Sequence, residues 1–120
     1  MNKRSFGSVG EYDAHDYLLG QGYAVRAMNF RRKTGEIDVI AEKDGVIAFI
    51  EVKRRTTLRY GTPAEAVTPA KRRRIIRTAL LYLQENHITE TPVRFDIIEI
   101  SPGRFNHIES AFDATGMQGI

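Results

Sequence analysis

The chain has 120 residues, 42% of them hydrophobic and 28% charged, with a formal net charge of +3. That is enough chain for one domain with its own core, and the composition is that of a globular rather than a disordered or fibrous protein. The absence of cysteine excludes disulfides and thiolate metal sites, and no apolar run approaches the ~20 residues of a membrane span. The basic segment Met1–Gly7 has no apolar stretch behind it and so is not a secretory signal. The expectation is one cytoplasmic domain over residues 1–120, loose at 1–7 and 113–120, with no membrane partner and a weak bias toward a polyanion.

Ser8-Val9-Gly10-Glu11 has the form of a capping box. It opens a helix that should stop at Gly20-Gln21-Gly22. Tyr23 to Asn29 reads as a strand, and Arg31-Arg32-Lys33-Thr34-Gly35 as a basic loop. Glu36–Glu42 and Val46–Lys53 form a hairpin around Asp44-Gly45, a strong two-residue turn signal. Ile37, Val39, Ala41, Val46, Ala48, Ile50 and Val52 should make one continuous apolar face. Arg54 to Gly61 is a second basic loop, and Thr62-Pro63 opens a short helical turn ending near Val67. Thr68-Pro69 is an N-cap followed by proline at the first helical position, and that helix should run to about Asn86. Its apolar stripe is Ile75, Ile76, Ala79, Leu80 and Leu83. Strands at Val93–Ile100 and Phe105–Phe112 flank Ser101-Pro102-Gly103. The order α-β-β-β-α-β-β describes an α/β (α+β) domain built on a mixed sheet.

Counting outward from the Asp44-Gly45 turn brings Asp38 opposite Glu51, with Cβ atoms ~5 Å apart. Side-chain alternation adds Lys53 to the same face, and Glu36 opposite it. Facing carboxylates destabilise a hairpin unless a positive charge lies between them. A divalent metal is the natural occupant, and Mg²⁺ or Mn²⁺ accepts such a pair of oxygen ligands, with water and substrate phosphate completing the shell. Bound to Asp38 and Glu51, such an ion would acidify a water and polarise a phosphoryl oxygen, while Lys53 would offset charge building on phosphorus. The bland alternative is an exposed hairpin with a Glu36–Lys53 salt bridge. Glu11 has two readings, a helix cap bonded back to Ser8 or a third acid reaching the site from the first helix. His15, His87 and His107 lack metal-ligand spacing and are expected in surface or core roles.

Basic residues flank the acids. Arg31, Arg32 and Lys33 precede them, Arg54, Arg55 and Arg59 follow, and Lys71-Arg72-Arg73-Arg74 with Arg77 opens the second helix. Cations at a helix N-terminus oppose the macrodipole, which favours a phosphate-gripping role for them. Acids at the centre with a basic surround suit phosphodiester cleavage without base-specific readout.

Asp38 followed by Glu51-x-Lys53 resembles the PD-(D/E)xK nuclease signature, with Ile37 where that signature has proline. The wider set is Gly10-Glu11, Gly22-Tyr23, Asn29, Gly35-Glu36-Ile37-Asp38, Phe49-Ile50-Glu51-Val52-Lys53, Arg55, Gly61, Lys71 and Arg94-Phe95-Asp96. Over about Gly7 to Phe112 it resembles the YraN family of small bacterial proteins, itself similar to archaeal Holliday-junction resolvases. The resemblance implies a restriction-endonuclease-like central sheet flanked by helices. It assigns Asp38 and Glu51 to metal and Lys53 to catalysis, raises Glu11 as a further acid, and leaves Glu36 supporting Lys53. Arg31, Arg32, Lys33, Arg55, Lys71, Arg72 and Arg74 become the nucleic-acid contacts. The expected activity is Mg²⁺-dependent hydrolysis of DNA, with branched or damaged DNA among the candidate substrates and a homodimer needed to cut two strands. A nucleic-acid-binding or partner-recruiting module with a vestigial site is the alternative.

Overall fold

Among the described residues, two helices and five strands follow one another in the expected order: α1 (Val9–Gly20), β1 (Ala24–Arg32), β2 (Gly35–Lys43), β3 (Val46–Arg54), α2 (Pro69–Glu85), β4 (Val93–Ser101) and β5 (Arg104–Phe112). The structure, a computed structural model, describes residues 9–54, 67–102 and 104–114, the side chains of 9–12 excepted. The basic loop beyond Arg54, the short turn from Thr62 and the cap at Ser8 therefore lie outside the described residues. The strands form one mixed sheet in the order β1-β2-β3-β4-β5. All neighbours are antiparallel except β3 and β4, whose parallel pairing requires the crossover that carries α2.

Each boundary has a local cause. Asp44 (φ 54°) and Gly45 (φ 79°) both take positive φ, as the tight turn joining β2 to β3 demands. Lys43 pairs with Val46, in the register counted from the turn. Helix α1 ends with Gly22 at φ 91°. The Gly22 amide bonds to the Leu19 carbonyl and the Tyr23 amide to that of Leu18, which is a Schellman ending. Thr68, extended at φ −67° and ψ 160°, caps α2 by accepting from the Lys71 amide, with Pro69 beginning the helix.

Each helix covers one face of the sheet. Beneath α2 lie Ile40, Ile47, Phe49, Phe95 and Ile97, and beneath α1 lie Val39, Ala41, Ala48, Ile50 and Ile98. Strand β3 is covered on both sides, which explains its near-continuous apolar run. Two expectations need correction. Ile37 does not share a face with Val39: it joins the core under α2, and Val39 the core under α1. Between the pairs Met28↔Val39 and Phe30↔Ile37, Asn29 takes a left-handed φ of 54°. Phe30 and Met28 divide between the two cores in the same way, so both strands change face where Asn29 stands beside Asp38. That break lets β1 continue through Arg31 and Arg32, which are strand residues rather than a loop. On α2, Leu80 is exposed, and its expected place is taken by Thr78 and Tyr82, centred on the same face as Ile75 and Ala79.

Candidate functional site

The site forms where the hairpin ladder stops. Residue pairs of β2 and β3 run from Lys43↔Val46 to Val39↔Ile50. One residue further, an Asp38 carboxylate oxygen accepts the Val52 backbone N–H at 2.7 Å. The Asp38 carboxylate therefore lies against the peptide that follows Glu51. Glu51 itself is only 7% exposed. Its Oε2 is 2.6 Å from Lys71 Nζ and 3.9 Å from Lys53 Nζ. A carboxylate taken out of water needs such compensation, because an unpaired buried charge is costly. Lys71 reaches it from the first turn of α2, whose position is set by the Thr68 cap and by a bond from Arg72 Nε to the Val67 carbonyl at 2.9 Å. Val67 is buried, which anchors that turn over the sheet.

The Asp38 carboxylate thus meets the Val52 amide, next to Glu51, while the Lys53 and Lys71 ammonium groups face the Glu51 carboxylate; Lys71 was expected on a nucleic-acid surface. Two hard carboxylate oxygens on adjacent strands, in a chain without cysteine, suit Mg²⁺ or Mn²⁺ better than zinc. Among the described residues no group of three or more His, Asp or Glu side chains converges on one point. One or two protein carboxylates is, however, the usual complement for Mg²⁺. Glu11 lies in α1, and its side chain is outside the described residues, as is Arg55.

Glu36 is placed differently. Its expected partner was Lys53, but it pairs with Arg31 at 3.1 Å, its neighbour in the β1–β2 ladder. The cause is the end of the β2–β3 ladder at Val39, beyond which Glu36 has a partner only on its other side. Arg32 makes a two-pronged contact with Glu85 at 2.6 and 2.9 Å, and its guanidinium lies over the Phe30 ring. Arg72 bonds to the Val67 carbonyl and covers Phe112. Of the cations assigned to nucleic acid, Lys33 and Arg74 are exposed, as are Arg73 and Arg77 on α2.

A second polar cluster lies on the α1 side of the sheet. Asp96 is fully buried on β4. It accepts from Arg94 Nε at 3.0 and 3.1 Å, pairs with His107 Nε2 at 2.8 Å and accepts the Ser110 amide at 2.9 Å. Arg94 also donates to the Tyr23 hydroxyl. Burial by itself would raise the Asp96 pKa, but the bonds from His107, Arg94 and Ser110 outweigh it and hold the carboxyl below its ordinary value. His107 is thereby a core histidine, as expected, and His87 is a left-handed residue (φ 55°) ending α2. The sequence signal for the cluster was Arg94-x-Asp96, two charges on one face of an otherwise apolar strand.

Comparison with known proteins agrees with the architecture. The family model described as uncharacterised protein family UPF0102 matches residues 10–100. A UPF0102 protein of Symbiobacterium thermophilum is 47% identical over 116 residues, which cover 92% of this chain and 98% of the relative. One from Lachnoclostridium phytofermentans is 44% identical over 117 residues, covering 97% and 99%. One from Clostridioides difficile is 43% identical over 114 residues, covering 93% and 100%. With so much of each relative matched and the five-stranded sheet in place, the chain belongs to the uncharacterised protein family UPF0102, the YraN family that its motifs resemble.

Proposed function

We propose that this protein is a Mg²⁺-dependent nuclease that hydrolyses phosphodiester bonds in DNA, branched or damaged DNA included. The observation that carries this is the Asp38 carboxylate set against the peptide following Glu51, with the Lys53 ammonium 3.9 Å from Glu51. Asp38 and Glu51 would hold the cation, which when bound supplies an acidified water and polarises a phosphoryl oxygen. Lys53, one pleat beyond Glu51 on the same strand, balances negative charge developing on the phosphorus. Its stem is fixed by β3, so it needs little reorganisation at the moment of reaction. Exposed Lys33, Arg73, Arg74 and Arg77 hold the flanking phosphates without reading bases. Cutting both strands of a junction would take two such sites, and hence a homodimer.

The test is cleavage of linear, nicked and branched DNA in Mg²⁺ or Mn²⁺ by wild type, Asp38→Ala and Lys53→Ala. Each substitution should lower the rate by roughly 10²-fold or more, the scale expected for losing one transition-state contact. Equal residual activity in all three preparations would identify a contaminant and sink the proposal.

A second reading has its own observation. The 2.6 Å contact from Lys71 already neutralises Glu51, as it would in a nucleic-acid-binding module that retains only the remnant of a nuclease site. Salt-sensitive DNA binding without turnover, unchanged in Asp38→Ala, would select this alternative.

A further inference from the structure

We propose that Lys71 is a metal-gated phosphate clamp: without a divalent cation its ammonium holds Glu51, and cation binding frees it to grip the nucleic-acid backbone. This rests on the nuclease site proposed above. Glu51 Oε2 already faces two ammonium groups, Lys71 at 2.6 Å and Lys53 at 3.9 Å. A divalent ion on the same carboxylate would bring a third centre of positive charge, and mutual repulsion then favours release of one ammonium. Lys53 stands on the central strand, two residues from Glu51. Lys71, on a different element from Glu51, is the partner that leaves. It sits in the first turn of α2, with its side chain 36% exposed against 28% for Lys53.

Where Lys71 goes is set by its neighbours. It shares the opening turns of α2 with exposed Arg73, Arg74 and Arg77. A freed ammonium there lies beside exposed Arg74, three residues on along the helix surface, and carries that positive charge toward the scissile bond. A cation in the first turn of a helix is opposed by the macrodipole, which favours an anionic partner in both states. That anion is Glu51 before metal binds and a phosphate afterwards. Metal and Lys71 thus exchange at Glu51, and backbone affinity is coupled to occupancy of the site. The coupling would keep the protein from clamping DNA before its site is loaded.

The experiment compares the full chain with Lys71→Met and, in case that variant folds poorly, Lys71→Gln, each checked by thermal melting. Mn²⁺ binding is measured by calorimetry without DNA, and DNA binding by fluorescence anisotropy across salt in EDTA and in Ca²⁺, with the DNA confirmed intact. Removing the competing ammonium should tighten Mn²⁺ binding about tenfold. In Ca²⁺ the wild-type plot of log affinity against log salt should be steeper than the variant's by about 0.9, one phosphate contact, and in EDTA the two slopes should coincide. Unchanged Mn²⁺ affinity in both variants, or a slope difference that is the same in EDTA and Ca²⁺, would overturn the clamp. If Mn²⁺ binding disappears in Asp38→Ala but ignores Lys71, the clamp alone fails and the nuclease site stands. If Mn²⁺ binds neither wild type nor variants, both fail together.

Discussion

Asp96 shows what a single charge can do inside this sheet. It is fully buried, yet hydrogen bonds from His107, Arg94 and the Ser110 amide keep its pKa below the ordinary value. Because the native pKa is lowered, the stabilisation is complete above the unfolded value of about 3.9 and is lost as pH falls through the native one. Asp96→Asn removes the charge and one of the two acceptor oxygens shared by Arg94 and His107, and should cost about 3–5 kcal/mol, as breaking a buried pair does. Urea unfolding at pH 7 measures that cost, and the gap between wild type and variant should narrow as the pH is taken below 4. A gap that persists at low pH would mean that the amide disrupts packing rather than charge. In the linear chain the role of Asp96 showed only as Arg94-x-Asp96, because its other partners, His107 and Ser110, come from β5, more than ten residues downstream. By contrast, the register of β2 on β3 from Lys43↔Val46 to Val39↔Ile50 was legible, since a two-residue turn sets the spacing of the pairs that follow it.

The elements depend on how they end and how closely they approach. Helix α2 closes with His87 at φ 55°, where the His87 amide bonds to the Gln84 carbonyl and the Ile88 amide to that of Leu83. Glycine occupies this position without the left-handed penalty, so His87→Gly should stabilise the protein by about 1 kcal/mol, read as a rise in melting temperature. At the other end, Thr68→Ala removes the acceptor of the Lys71 amide and should cost about 1 kcal/mol. Near the β1–β2 turn, Gly35 has φ 151°, and an added Cβ would lie 3.3 Å from both Arg74 Cβ and Thr78 Oγ1. The Thr78 hydroxyl donates to the Arg74 carbonyl, leaving that of Thr34 to donate to Thr78 at 2.6 Å. Gly35→Ala should therefore destabilise by about 1–3 kcal/mol and loosen α2 over β2, seen as faster amide exchange in both. Helical periodicity located α2 but misjudged its edge. Leu80 was as apolar as its neighbours, but once α2 docks on the sheet Tyr82 is buried and Leu80 is left exposed.

At the scale of the whole molecule, a net charge of +3 conceals two populations of cations. Arg31, Arg32, Lys33, Arg73, Arg74 and Arg77 are all exposed, but Arg31 and Arg32 are engaged with Glu36 and Glu85, whereas among the described residues no ion pair ties Lys33, Arg73, Arg74 or Arg77. Neutralising Arg73, Arg74 or Arg77 should reduce the salt slope of DNA binding by up to about 0.9 each, with little effect across sequences. Arg32→Gln should leave that slope unchanged and lower the melting temperature instead. No helix among the described residues is long and apolar enough to cross a membrane.

Order of elements, the tight turn, the register of β2 on β3 and the capped start of α2 were all legible in the chain. Each depends on contacts between residues a few positions apart, for which backbone geometry leaves few options. The face taken by Ile37, the partners of Glu36 and Arg32, the burial of Asp96 and the reach of Lys71 to Glu51 were not. Those arise where separate segments dock, and docking is chosen by the packing of the whole sheet against two helices rather than by any local pattern.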